Sequence, residues 1–292
     1  MMSDLRERMM NDMQLHGYAK RTHQAYIRTV RQLQQFYNLS PEAISEEQLR
    51  DYFIHRKNVS HWSASTMRIA YSGIKFFYTY TLKRDWGILL LVRAETERKL
   101  PTVLTIDEVR LILHAVNTPH NKTYLTLVYS CGLRLQEALH LQVADVDGNR
   151  KLIHVRLGKG GKDRYVPLPD STLKVLRKYW KTHRNETWIF PRIGRSGKEG
   201  PSATVPMSKA TVQGALRRVL KELPTIAKPV GVHTFRHSYA THLLEAGVNI
   251  RLVQQYLGHA SLASTMIYAH VTRVGQQDAC ERINRLMSGV QS

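Results

Sequence analysis

The stretch LIHVRLGKGGKDRYVPLP, residues 152–169, decides the fold, because it is where the hydrophobic period changes. Leu152 to Leu157 alternates, with Ile153, Val155 and Leu157 on one side and Leu152, His154 and Arg156 on the other; a second run returns from Arg164 to Leu168. Two such runs joined by the glycine-rich GKGGKD read as a β-hairpin, with Lys159 at or beside its tip. The segments on either side read mostly as helices. The expected class is therefore mainly α with one small antiparallel β-sheet.

Upstream of the hairpin, Thr105 and Glu108 form a capping-box pattern in LTIDEVRLIL, and helical patterns continue to about Leu141. Downstream, Thr234 precedes FRHSYATHLLEA and Gly247 supplies a stop. Asn249 precedes IRLVQQYL, which Gly258 ends, and Ser261 can cap a last stretch containing Met266, Ile267 and Tyr268. The first hundred residues carry helices and no strand signal. Thr22 to Phe36 sets Ala25, Val30, Leu33 and Phe36 near one face; Ser45 with Gln48 opens EEQLRDYFIHRK; Ser63 can cap ASTMRIAYSGIKFFYTYTL. Periodicity fails from Asp85 to Pro101, where RAETERKLP is polar and ends on proline. The expected division is a helical bundle over 1–86, a linker over 87–101 and a second domain over 102–292.

The 292 residues include 43 Lys plus Arg against 23 Asp plus Glu, a formal charge of +20. With 42% hydrophobic residues such a chain can bury a core, which excludes a disordered polyelectrolyte. The longest apolar run, Ile88 to Val92, is far too short to span a bilayer. The start, MMSDLRERMM, lacks an apolar signal core, so a cytoplasmic location is expected. Cys131 and Cys280 lie far apart, which excludes a disulfide framework and a Cys-rich zinc module. The positive excess calls for an acidic partner. Nucleic acid is the commonest, though a membrane surface or a ribosome would also fit.

Three clusters could carry chemistry: CGLRLQEALHL with Arg134 and Glu137, HTFRHSYATHLLEAG with His233, Arg236 and His237, and YLGHASLASTMIYAHV with His259 and Tyr268. Each alone has an ordinary structural reading. Arg134 and Glu137 fit a helical ion pair. His233 and His237 are spaced as in metal sites, but Thr234 stands where a zincin carries its glutamate, so no metal is expected. His259 fits a helix C-terminus, Tyr268 a core aromatic, and Lys159 a solvated turn residue. GKGGKD also lacks the frame of a Walker loop.

Together they describe one kind of site. Two arginines can grip the nonbridging oxygens of a phosphodiester and stabilise charge that grows in the transition state. A tyrosine hydroxyl can be a covalent nucleophile if its proton leaves and cations hold the phenolate. Histidines suit proton transfer near neutral pH, and a hairpin lysine can protonate a leaving alkoxide. No acidic cluster for Mg²⁺ is visible, and no cofactor is expected.

The order GLRLQE, GKGGK, HxxRH, LGH and a tyrosine nine residues later resembles the tyrosine recombinases of the phage integrase family, closest in layout to Xer-type, transposon-borne and integron-like members. The resemblance implies an N-terminal SAM-like helical bundle and an α+β catalytic domain that close on duplex DNA. It implies catalytic roles for Arg134, Lys159, His233, Arg236, His259 and the nucleophile Tyr268, with Lys159 acting as general acid toward the 5′-oxygen. Glu137 and His237 are expected to support them. Lys20, Arg21, Arg28, Arg68, Lys162 and Arg164 are candidate DNA contacts. The implied assembly is a dimer on each site and a tetramer in the synapse, in the nucleoid. The segment ACERINRLM, 279–287, is expected to dock on a neighbouring protomer. A catalytically silent DNA-binding regulator and a type IB topoisomerase-like enzyme are the alternatives.

Overall fold

Capping chemistry starts several helices where the sequence places them. In a computed structural model, which describes residues 2–91, 100–156, 163–194 and 200–269, Ser45 Oγ accepts from the Gln48 N–H at 3.2 Å and Gln48 returns the bond to the Ser45 N–H at 2.9 Å. Thr105 and Glu108 make the same reciprocal pair at 3.1 and 2.7 Å. Each box satisfies two N–H groups that a helix start would leave unpaired.

The chain divides into two compact units, Met1–Lys99 and Leu100–Ser292. The first holds α1 (Met2–Leu15), α2 (Lys20–Tyr37), α3 (Glu46–Asn58), α4 (Ala64–Phe76) and α5 (Ile88–Leu91), with α4 running on into a π-helical turn over Phe77–Thr81. Met13, Leu33, Leu49, Tyr52, Ile74 and Tyr78 form the centre of its core. Gly73 allows α4 to lie close against α2: a Cβ there would come within 2.4 Å of Thr29 Oγ1 and 2.9 Å of Tyr26 Cα. Ile88 and Leu89 are buried in this core, and the Ile88 N–H donates to Glu46 Oε1 at 2.7 Å. The core of the first unit therefore includes residues beyond 86. The apolar pair in WGILLL is what carries the chain back onto the bundle.

The second unit is built on α7 (Pro119–Cys131), whose Tyr124, Leu125, Leu127, Val128 and Cys131 are all fully buried. Around it lie α6 (Ile106–Ala115), α8 (Leu135–Leu139), α9 (Asp170–His183), α10 (Lys209–Glu222), α11 (Val232–Glu245), α12 (Ile250–Leu257) and α13 (Ala263–Ala269). The sheet has three antiparallel strands in the order β1 (Val146–Asp147), β2 (Leu152–Val155) and β3 (Arg164–Pro167). Val155 pairs with Arg164, and Ile153 with Val166. The alternation behaves as read: Ile153, Val155 and Val166 face the core, while His154 and Tyr165 stack on the other side, 4.9 Å between ring centres. The two residues of β1 are too few to alternate, so no sequence pattern marked them. The turn of the hairpin, 157–162, lies outside the described residues, and with it Lys159 and Lys162. The segment 279–287 and Cys280 lie outside them as well.

α11 begins at Val232, three residues before the expected start at Phe235. Thr234 sits in the first turn, not ahead of it, and its hydroxyl accepts from the Gly231 N–H at 3.0 Å. α12 starts as expected, with Asn249 Oδ1 accepting from the Arg251 N–H at 2.8 Å, and stops at Gly258 in the left-handed conformation, φ 61°. Mainly helical architecture with one small antiparallel sheet is what the sequence led us to expect.

Candidate active site

Glu137 is the centre around which the site is organised. It sits in the first turn of α8, 9% exposed, and its Oε2 accepts from the Arg134 backbone N–H at 2.8 Å. The three-residue spacing is thus a helix cap, with the carboxylate reaching back to the residue that precedes the helix. The same carboxylate accepts from Arg134 Nη1 at 2.7 Å and from Arg164 Nη1 and Nη2 at 3.0 and 2.7 Å. Arg236 Nη1 lies 4.0 Å from Oε2. Burial alone would raise the Glu137 pKa. Arg164 first and Arg134 next outweigh it, by hydrogen bonds and charge, and hold the carboxyl at about 2.

The other anchor is the C-terminal end of α12. Its last carbonyls have no partners within the helix and lie at the negative end of its dipole. Arg164 Nε donates to Tyr256 O at 2.8 Å, Arg236 Nη2 to Leu257 O at 2.6 Å and Arg134 Nη2 to Gly258 O at 2.8 Å. Three successive carbonyls each take one arginine. Arg236 also donates to Gly132 O at 2.5 Å, where α7 ends in a left-handed glycine, φ 60°. It is 3% exposed, and burial is the first cause of its pKa falling to about 10.

Tyr268, on α13, is 2% exposed. Its hydroxyl is 2.9 Å from His237 Nδ1, and its ring lies nearly parallel to that of His259, 6.1 Å between centres. His259 Nδ1 is 2.9 Å from Thr265 Oγ1, which ties the turn after α12 to α13. Burial raises the Tyr268 pKa, while the positive charges of Arg236 and Arg134 act against that. His233, on the exposed side of the first turn of α11, has its ring 6.4 Å from that of His237. Its pKa is lowered, by burial first and then by Arg236 and Arg134.

The structure thus brings together Arg134, Glu137, Arg236, His237, His259 and Tyr268, with His233 at their edge. A further member has a place that differs from the expected one. Arg164, expected on the DNA-facing surface, is only 8% exposed and is spent on Glu137 and Tyr256. Its partner is 27 residues away in sequence, so no local spacing could reveal the pair. The other described candidates for DNA contact stay on the surface of the first unit. Lys20, Arg21 and Arg28 are exposed on α2, and Arg68 is exposed on α4. Lys20 and Arg28 line a groove with Arg6, His23 and Arg31, a basic concavity between α1 and α2. Among the described residues there is no group of three or more His, Cys, Asp or Glu placed to hold a metal ion, and no helix is long and apolar enough to cross a membrane.

The buried histidines set a pH dependence. His237 and His259 are both held at about 4, by burial first and then by neighbouring cations, against 6.5 for a free imidazole. The unfolded chain takes up protons below about pH 6.5 that the folded chain refuses, so stability falls as pH drops from there to about 4. Glu137 acts in a lower window: its contribution is lost as pH falls from the usual 4.5 towards 2. Thermal melts should therefore show a loss in two stages. A His237→Gln, His259→Gln double variant should flatten the upper stage and leave the lower one; an unchanged upper stage would show that other groups set it.

Residues 102–274 match the phage integrase family, and residues 5–88 match the phage integrase N-terminal SAM-like domain. An integrase/recombinase of Escherichia coli is 35% identical, over 94% of this chain and 90% of its own length. Tyrosine recombinase XerA of Pyrococcus horikoshii is 30% identical, over 96% of this chain and 93% of its own. In fold, the chain is similar to lambda integrase as solved in a tetramer bound to a Holliday junction, with a TM-score of 0.69 and 17% identity over 90% of this chain and 76% of that one.

Proposed function

The chain belongs to the phage integrase family, the tyrosine recombinases, and from that premise we propose that it is a site-specific DNA recombinase working through a 3′-phosphotyrosyl intermediate. The observation that carries the reading is the convergence of Arg134 and Arg236 on Glu137 and the end of α12, beside a tyrosine hydroxyl held by a histidine. Like charges brought this close need a reason, and a phosphodiester supplies one. Two guanidinium forks facing its nonbridging oxygens would stabilise the charge that grows as a fifth oxygen approaches phosphorus.

Tyr268 Oη attacks the scissile phosphorus, and the bond to the 5′-oxygen breaks. His237, neutral at physiological pH, hydrogen-bonds and orients the phenol, while Arg236 and Arg134 stabilise the phenolate as its proton passes to water. His233 and His259 stand ready to hydrogen-bond the phosphate, and Lys159 protonates the departing 5′-oxygen. The phosphotyrosyl bond keeps the energy of the broken one, so a 5′-hydroxyl from the partner duplex can reverse the step without ATP or metal. Exchange between two duplexes takes four such cleavages, hence a dimer on each site and a tetramer in the synapse, the assembly in which lambda integrase was solved. Lys20, Arg21, Arg28, Arg68 and Lys162 serve the DNA backbone, and such contacts make binding steeply salt-dependent.

The test uses duplexes selected by the protein from a randomised pool, then nicked at tiled positions so that the 5′-fragment released by cleavage diffuses away. With EDTA and without ATP, the protein is expected to become covalently attached, and mass spectrometry should find the adduct on the peptide containing Tyr268. Footprinting without attachment would mark a DNA-binding regulator instead. Attachment with relaxation of supercoils but no exchange between two sites would mark a topoisomerase.

A further inference from the structure

Arg164 opens β3, directly after the GKGGKD turn, and joins three segments far apart in sequence. Its two terminal nitrogens occupy both oxygens of Glu137, at 3.0 and 2.7 Å, and its Nε holds Tyr256 O at 2.8 Å. It therefore fastens the outgoing strand of the hairpin to the Arg134–Glu137 turn and to the end of α12, two residues before His259. Gly258 leaves the room for this: a Cβ there would come within 2.9 Å of Arg164 Cδ and 3.0 Å of Nε.

A buried carboxylate offers acceptor sites to whatever donors can reach it. Here Arg134 takes one of those sites with a side-chain nitrogen at 2.7 Å, and Arg236 stops 4.0 Å away. Without Arg164, the remaining sites would draw these two guanidinium groups onto Glu137. A fork turned side-on to a carboxylate cannot face a phosphate.

We infer that Arg164 is a positioning residue for phosphoryl transfer: by filling Glu137 and Tyr256 O it leaves Arg134 and Arg236 free to face the phosphate, and fixes the root of the lysine-bearing hairpin. This rests on the recombinase function proposed above. The role differs from that of the phosphate-gripping pair, since Arg164 acts through Glu137 and does not touch substrate.

Single-turnover cleavage of the selected, nicked duplexes, with full-length protein in saturating excess, tests it. Arg164→Met should lower the cleavage rate by about tenfold or more while duplex affinity stays within about twofold. Arg164→Lys, which keeps the charge but cannot span both oxygens, should fall between it and the wild type. The decisive variant adds Glu137→Gln to Arg164→Met. Removing the charge that captures the other arginines should recover at least about threefold of the lost rate, which a merely structural role would not give. Where Arg164→Met melts below the assay temperature, Arg164→Lys carries the test, with Glu137→Gln added to it. Wild-type cleavage by the variants, a rate loss matched by lost affinity, or a double variant slower than the single would overturn the inference. Failure of the wild type to attach at all would instead overturn the function beneath it.

Discussion

Tyr268→Phe is expected to abolish covalent attachment to DNA while leaving duplex affinity within about twofold of the wild type. The side chain is buried between two histidines, and phenylalanine keeps the ring that packs there. What disappears is the hydroxyl and its contact with His237 Nδ1, a loss of about 1 kcal/mol of stability for one neutral hydrogen bond. The variant should therefore fold, bind and stall. Denaturing gels of protein on the nicked duplexes supply the measurement. Attachment by the phenylalanine variant at a wild-type rate would mean that another residue is the nucleophile.

Arg236→Met comes next in size, with a cleavage rate about 10³-fold lower or more, as when a donor to a developing oxyanion is removed. The effect on stability is the balance of two opposing changes. Two carbonyls, Gly132 O and Leu257 O, lose their donors, which is destabilising by about 1–3 kcal/mol each. Against that, a guanidinium that is 3% exposed no longer has to be kept out of water, and three arginines around one carboxylate become two. Methionine fills similar space without charge. Rate at saturating DNA and melting temperature, measured together, separate the two effects. A rate within tenfold of wild type would remove Arg236 from the chemistry. Lysine should not rescue it, because one ammonium cannot reach both carbonyls and the phosphate.

The parts of the fold that were legible are those governed by local rules. Ser45, Thr105 and Asn249 cap their helices from side chains within three residues, and the alternation around 152–168 reports which side of a strand is buried. What was not legible depends on partners distant in sequence. The spacing of Arg134 and Glu137 fits a helical ion pair, and spacing alone cannot tell an exposed rung from a buried cap. Arg164 looked like one more surface cation until the fold brought it to a carboxylate 27 residues away. Likewise the contact of His237 with Tyr268 spans 31 residues and follows from how α13 lies on α11. The motif order pointed to the family; the fold supplied the electrostatic partners of Arg134, Arg164 and Arg236.

The acceptors at the end of α12 are main-chain atoms, and that has a consequence for how such a site can drift. Tyr256 and Leu257 contribute carbonyls that any replacement would also contribute, so α12 can change its side chains without changing what the arginines hold. Gly258 is pinned by its φ of 61° and by the Arg164 side chain beside it. Inserting a single residue in α12 turns each carbonyl through about 100° relative to the arginine it serves, so a site tolerant of substitution is intolerant of a change in register.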